Sequence, residues 1–185
     1  MRIVSGEFKG RQPKGTIPAF IRPSMDSTRE TIFNILTNYL DFTDINVMDL
    51  CCGTGIFGIE TLSRGASHAF MVDKNFKALQ FAEQFIKSLE IEKAKYSLIQ
   101  NDVLKVIQHI SDFTSKKFDL IFFDPPYKSK ISNSIISLLS KSDLIIENGI
   151  IVAEHSDKEQ LIIPEKWKKI KERKFGETIV DFIQI

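Results

Sequence analysis

The stretch FDLIFFDPPYKS, Phe118 to Ser129, joins a strongly apolar run to an abrupt polar stop. Phe118 to Phe123 is short, continuous and rich in aromatic and branched residues, which predicts a strand buried on both faces of a sheet. Asp124 arrives where that strand ends. Pro125 and Pro126 then fix φ and donate no hydrogen bond, so the chain leaves the sheet in a stiff extended turn that holds Tyr127. A fixed carboxylate beside a backbone carbonyl can accept both hydrogens of an amino group on a flat ring, favouring a pyramidal nitrogen with an aimed lone pair. Tyr127 offers a face on which such a ring can stack. Asp124, Pro125 and Tyr127 are therefore the candidate catalytic residues.

A second group lies upstream in VMDLCCGTGIFGIE. Gly53, Gly55 and Gly58 fall between a predicted strand and a predicted helix, where glycines permit positive φ and close approach of a ligand, and the helix start offers free N–H groups. Asp73 ends the next strand, placed to accept hydrogen bonds from two ribose hydroxyls. These features suit an adenosine-containing cofactor and leave NAD open. Asp49, on the first strand before the loop, tilts the choice, because its charge repels a pyrophosphate and attracts the ammonium of a methionine tail. S-adenosylmethionine fits better.

The elements that must position these groups alternate along the chain. NVMDL, HAFMVD, YSLIQND, Phe118 to Phe123 and GIIVAEH have strand patterns. Between them lie FGIETLSRG, stopped by Gly65, NFKALQFAEQFIKSLE, VLKVIQHISDF capped by Asn101 or Asp102, and a helix over about 131–142. This order predicts a mostly parallel sheet with helices on both faces, and ligands beyond the carboxyl ends of its strands. WKKIKERKF, Gly176 and ETIVDFIQI predict a closing antiparallel hairpin. Ahead of the alternation, MRIVSGEFKGRQ reads as a small strand and turn, and DSTRETIFNILTNYL as an amphipathic helix capped by Asp26. The expected organisation is an N-terminal extension over 1–43 and a main domain over 44–185.

Composition narrows the classes. A chain of 185 residues with 43% hydrophobic and 26% charged residues is an ordinary globular domain, with no apolar run of membrane-spanning length and no secretory signal pattern, so a cytoplasmic location is expected. Cys51 and Cys52 are adjacent and have no partner pair for zinc, His68, His109 and His155 are scattered, and no metal is expected. Net charge is only +1, so a nucleic-acid footprint would be local. From Met1 to Ser24 the cations Arg2, Lys9, Arg11, Lys14 and Arg22 face Glu7 alone, with Phe8 and Phe20 interleaved, and KWKKIKERK adds a second basic cluster.

Taken together, RIVSGEFKGRQ, RPSMDSTRETIFNIL, DLCCGTGIFGIETLSRGA, VDKN, DPPY and KFGETIVDFIQI resemble the bacterial RsmD family of class I S-adenosylmethionine-dependent methyltransferases, which modify the N2 amine of one guanine in 16S ribosomal RNA. The family more often has Phe-Ala-Gly-Ser-Gly where Cys51 to Gly55 stand, and Thr and Arg at Ser24 and Ser27. The resemblance implies a Rossmann-like class I methyltransferase fold of seven strands. It further implies that Asp49, Gly53 and Gly55 hold the methionine end, Asp73 the ribose and Asp102 the adenine amine, while Asp124 to Tyr127 hold the guanine. The partner would be 16S rRNA within the small ribosomal subunit or an assembly intermediate. Lys9, Arg11, Arg22 and Arg29 are candidate RNA contacts, although a surface ion pair serves Arg29 equally well. Competing functions are a DNA adenine-N6 methyltransferase, a protein glutamine methyltransferase, an NAD-dependent oxidoreductase and a non-catalytic ribosome-assembly factor.

Overall fold

The computed structural model describes residues 1–14, 25–126 and 129–185. Its strands are β1 Asn46–Leu50, β2 His68–Asp73, β3 Tyr96–Gln100, β4 Phe118–Phe123, β5 Ile145–Ser156, β6 Lys168–Phe175 and β7 Thr178–Gln184. Its α-helices are α1 Asp26–Leu36, α2 Ile56–Ser63, α3 Phe76–Ser88, α4 Val103–Gln108 and α5 Ser132–Lys141. The seven strands form one sheet in the order β3-β2-β1-β4-β5-β7-β6. The first five pair in parallel, and β7 enters antiparallel between β5 and the edge strand β6. Strand order reverses between β1 and β4, so the two outgoing loops flank a crevice at that point.

Two apolar layers cover the sheet. On one face Val47, Met71, Phe122, Val152, Val180 and Phe182 pack with Ile32 and Phe33 of α1, Ile59 of α2 and Phe85 of α3. On the other, Leu50, Val72, Phe123 and Ala153 pack with Val106 of α4 and Ile136 of α5. Alternate residues of each strand serve opposite layers, as the pleat requires. Gly58 allows α2 to lie close to β2, since a Cβ there would be 2.8 Å from the Met71 Sδ.

Local chemistry sets most boundaries. Asn75 caps α3 by accepting from the Lys77 N–H at 3.0 Å, and Asp102 caps α4 by accepting from the Leu104 N–H at 2.9 Å. Gly65, at φ 107°, ends the turn after α2. Three expectations need correction. The predicted helix through Phe113 stops at Gln108, because His109 leaves helical geometry, and a 3-10 turn follows over Ile110–Asp112. Asp26 is not the cap of α1: Met25 precedes the helix without a side-chain bond, and the Asp26 carboxylate instead pairs with Arg29 at 2.7 Å. Residues 1–14 contain no strand. Ile3 exchanges backbone bonds with Gly10 and Arg11 to close a turn, and that turn docks on α2, where buried Glu60 accepts from the N–H groups of Val4 at 2.8 Å and Ser5 at 3.0 Å. Ile3 joins the core layer beneath α1.

Candidate active site

The loop after β1 is built by backbone conformation. Cys51, Gly53 and Gly55 take positive φ of 59°, 52° and 70°, which turns the chain back sharply before α2. The reversal brings the Gly53 N–H to 2.9 Å from Asp73 Oδ2, while Oδ1 accepts from the Asn75 N–H at 2.8 Å. Asp73 therefore ties the glycine loop to the end of β2. Asp49 is 3% exposed and accepts from the Gly58 N–H at 3.0 Å. Burial drives its pKa up to about 7; the Gly58 hydrogen bond opposes the shift and the nearby Asp73 charge reinforces it. Burial foremost, with the surrounding carboxylates, pushes the Cys51 and Cys52 thiols well above their ordinary value, so both are neutral packing groups.

These residues open onto a cleft of about 450 Å³ at the carboxyl ends of the strands. Asp49, Gly53, Asp73, Asp102, Asp124 and Pro125 all line it. Asp124 stands beside the end of β1, its N–H 3.4 Å from the Leu50 carbonyl, because β4 pairs directly with β1. The turn beyond is braced: the Pro126 carbonyl accepts from the Ser129 N–H at 2.8 Å and its hydroxyl at 2.7 Å.

Other candidates fall elsewhere. A Cβ on Gly55 would lie 3.0 Å from the Ala82 Cβ and 3.1 Å from the Met71 Sδ, so this glycine serves the packing behind the loop rather than the cleft wall. Arg29 is fully buried, pairing with Asp26 and donating to the Arg2 carbonyl, so the expected surface ion pair is corrected to one between a buried guanidinium and a partly exposed carboxylate. Lys9, Arg11 and Lys14 are exposed, but their turn docks on Ser63, at the far end of α2, and Arg11 reaches the Ser88 carbonyl at the far end of α3. Since α2 and α3 both start at the cleft and run away from it, Lys9 and Arg11 lie toward the opposite end of the sheet. Arg22 and Tyr127 lie outside the described residues.

Sequence reasoning missed several lining groups. Glu154 follows Ala153, which pairs with Phe123, so the register sets it beside Asp124. The signal was the same as for Asp124, an apolar run ending in an acid at a parallel strand's carboxyl end. Met25 just ahead of α1, Thr28 from α1, Phe57 from α2, and Phe175 and Thr178 from the terminal hairpin complete much of the wall. No local signal marks them. Among the described lining residues the carboxylates are Asp49, Asp73, Asp102, Asp124 and Glu154, and the only cationic side chain is Lys74. Such a field attracts a cationic ligand and repels a polyphosphate.

Comparisons with known proteins agree with this geometry. The family described as Conserved hypothetical protein 95 matches residues 1–184. YlbH of Bacillus subtilis is 37% identical over 161 residues, spanning 87% of this chain and 85% of YlbH. Ribosomal RNA small subunit methyltransferase D of Haemophilus influenzae is 27% identical over 176 residues, spanning 95% and 89%. The solved structure of yhhF from Escherichia coli superposes with a TM-score of 0.85 at 22% identity, covering 100% of this chain and 97% of that one. The sheet order with its inserted antiparallel β7 is the Rossmann-like class I methyltransferase fold. Matched along essentially its whole length, the chain belongs to the Conserved hypothetical protein 95 family, the RsmD group of methyltransferases.

Proposed function

We propose that the protein transfers a methyl group from S-adenosylmethionine to the exocyclic N2 amine of a guanine in 16S ribosomal RNA. The observation that carries this reading is the meeting, in one cleft, of the glycine loop after β1 and the Asp124-Pro125-Pro126 turn after the neighbouring β4. The cofactor fits on charge, because the acid-rich wall suits an ammonium and a sulfonium and opposes the pyrophosphate of a dinucleotide. Asp49 would hold the methionine ammonium, Gly53 would let the backbone approach, Asp73 would accept from the ribose hydroxyls, and Asp102 would stand at the adenine. When bound, the cofactor supplies a methyl group already activated on a positively charged sulfur.

The chain's own task is then to present a poor nucleophile well. The guanine amine is delocalised into its ring, and hydrogen bonds to Asp124 and the Pro125 carbonyl would favour its pyramidal form. The two prolines keep that pair of acceptors fixed, and the Ser129 contacts to the Pro126 carbonyl brace the turn from behind. Asp124 also accepts the hydrogen bond through which the amine's proton departs. Tyr127 would stack on the base after it has left its own stack, a contact of roughly 1–3 kcal/mol.

The deciding experiment incubates the protein with tritiated S-adenosylmethionine and three acceptors: unmodified 30S subunits, free 16S RNA and duplex DNA. Nucleoside analysis should find the label in N2-methylguanosine from an RNA acceptor. Label in N6-methyladenosine from DNA, or no transfer to any nucleic acid, would overturn the reading.

A further inference from the structure

The basic cluster in β6 divides between the two faces of the sheet. In the β6–β7 pairing Lys171 opposes Phe182, Arg173 opposes Val180 and Phe175 opposes Thr178. Residues directly opposite in an antiparallel pair project to the same face. Phe182 and Val180 belong to the layer that contains α1 and α2, so Lys171 and Arg173 lie on that face too, in line with Phe175 and Thr178 of the cleft wall. The cations on the other face are neutralised. Lys169 pairs with Glu172 at 2.8 Å and with Asp181 at 3.0 Å, and Lys174 pairs with Asp157 at 2.8 Å. Among the described residues no carboxylate pairs with Lys171 or Arg173.

Register then gives the distance to the chemistry. Arg173 opposes Val180, Val180 opposes Glu154, and Glu154 stands beside Asp124. Three inter-strand steps separate Arg173 from Asp124, about 14 Å at the usual strand spacing. The cleft is acidic and would repel phosphate, so a base entering it must leave its backbone outside. The nearest unneutralised cations on that side of the β5-β7-β6 hairpin are those two residues, on the edge strand.

From this placement, and resting on the RNA methyl-transfer reading, we propose that the cleft face of β6, through Lys171 and Arg173, binds the RNA backbone flanking the flipped target nucleotide. The basic N-terminal turn, toward the other end of the sheet, does not serve this contact. Phosphate contacts of this kind set register on the RNA, and the base turn supplies the chemistry.

The test uses the full chain with Lys171→Gln and Arg173→Gln together, and a comparison variant with Lys9→Gln and Arg11→Gln. Affinity for unmodified 30S subunits and for free 16S RNA is measured between 50 and 200 mM salt, together with cofactor affinity by calorimetry. The β6 variant should bind RNA about tenfold or more weakly, with a log–log salt slope shallower by roughly 1.4–1.8, the change expected for two lost phosphate contacts. Cofactor affinity should hold in both variants, the Lys9/Arg11 variant should keep the wild-type slope, and Lys171→Arg with Arg173→Lys should restore it. An unchanged slope in the β6 variant, or the larger loss in the Lys9/Arg11 variant, overturns the inference. Failure of the underlying reading is seen separately, as wild-type protein that neither binds nor labels RNA.

Discussion

Asp49 carries the sharpest conflict at the residue scale. Its carboxylate is buried beneath the glycine loop, with one N–H donor from Gly58, and burial holds its pKa at about 7. A cationic ligand end would reverse that balance, because an opposite charge favours the ionised form. Cofactor affinity should therefore rise with pH between about 6 and 8, by up to about tenfold per unit below the pKa. Calorimetric titration across that range should show the rise, and Asp49→Asn should bind weakly with a flat profile. A steep profile retained in Asp49→Asn would assign the titration to another group. Asp124 separates from Asp49 by its role. Asp124→Ala should keep cofactor affinity within about twofold while methyl transfer falls by about 10²–10³ or more, the scale seen when a positioned hydrogen-bonding group is removed. Asp124→Asn keeps one acceptor oxygen and should retain partial activity. Full transfer by Asp124→Ala, assayed with saturating cofactor and 30S particles, would sink the proposed mechanism.

At the scale of elements, the N-terminal turn and α2 are coupled by a few specific bonds. Glu60, fully buried, joins Val4, Ser5 and Arg64, and Ser63 donates to the Ser5 carbonyl at 2.6 Å while its Oγ accepts from Phe8 at 3.0 Å. Gly6 permits this docking: at φ 81°, a Cβ would sit 1.8 Å from the Ser63 carbonyl oxygen. Gly6→Ala should undock the turn by more than about 1 kcal/mol, combining backbone strain with the clash. Hydrogen exchange should show faster exchange at Val4, Ser5, Glu7 and Phe8, with amides of β1 and β4 unaffected and cofactor affinity preserved. Undiminished protection would mean that the turn is held by apolar contacts alone. The sequence narrows the cap of α4 to Asn101 or Asp102, because a cap acts within three residues, and the structure gives Asp102; the sequence pattern takes Asn75 as part of its helix rather than as its cap. The early stop of α4 and the pairing of β5 from Ile145 were not readable, since the bulge between Phe118 and Leu120 depends on a partner strand distant in sequence.

Across the whole molecule, the raised pKa values of His155 and Asp49 pull stability down as pH rises, while the lowered one of Asp181 limits it in acid. His155 Nε2 lies 3.2 Å from Asp181 Oδ2 and Nδ1 lies 2.9 Å from the Ser156 carbonyl, so both ring nitrogens face acceptors. Burial opposes charge on this histidine, but the Asp181 and Ser156 hydrogen bonds outweigh it and raise its pKa above 6.5. Burial likewise opposes ionised Asp181, and the His155 and Lys169 bonds outweigh it, so that pKa falls below 3.8. The raised histidine stabilises fully below its ordinary value and loses its contribution as pH rises through the folded pKa. The lowered Asp181 stabilises above its ordinary value and loses its contribution in acid. Asp49, raised in the fold, gives stability that is lost as pH rises toward about 7. The protein without cofactor should thus be most stable near about pH 4, where Asp181 is ionised, Asp49 is protonated and His155 is charged, and should weaken steadily toward about pH 8. Urea unfolding at several pH values should trace this optimum, and saturating S-adenosylmethionine should shift it upward. Stability that increases from pH 6 to 8 without ligand would show that other groups dominate.

From α1 onward, strand and helix identity, the glycine loop and the acids at the ends of β1, β2 and β4 were legible in the chain, because alternation, capping and turn chemistry act over a few residues. Asp124 could be singled out because an apolar run stops at an acid and two prolines in plain sequence. Glu154 shows the same pattern more faintly, and only the β4–β5 register made it a neighbour of Asp124. Tertiary structure alone decided that Arg29 is buried, that Gly55 faces Met71 rather than the cleft, and that Lys9 and Lys171 lie toward different ends and edges of the molecule. The reason is physical: burial and charge partnership depend on strand order, and strand order is set by pairings between segments far apart in the chain, which no local pattern encodes.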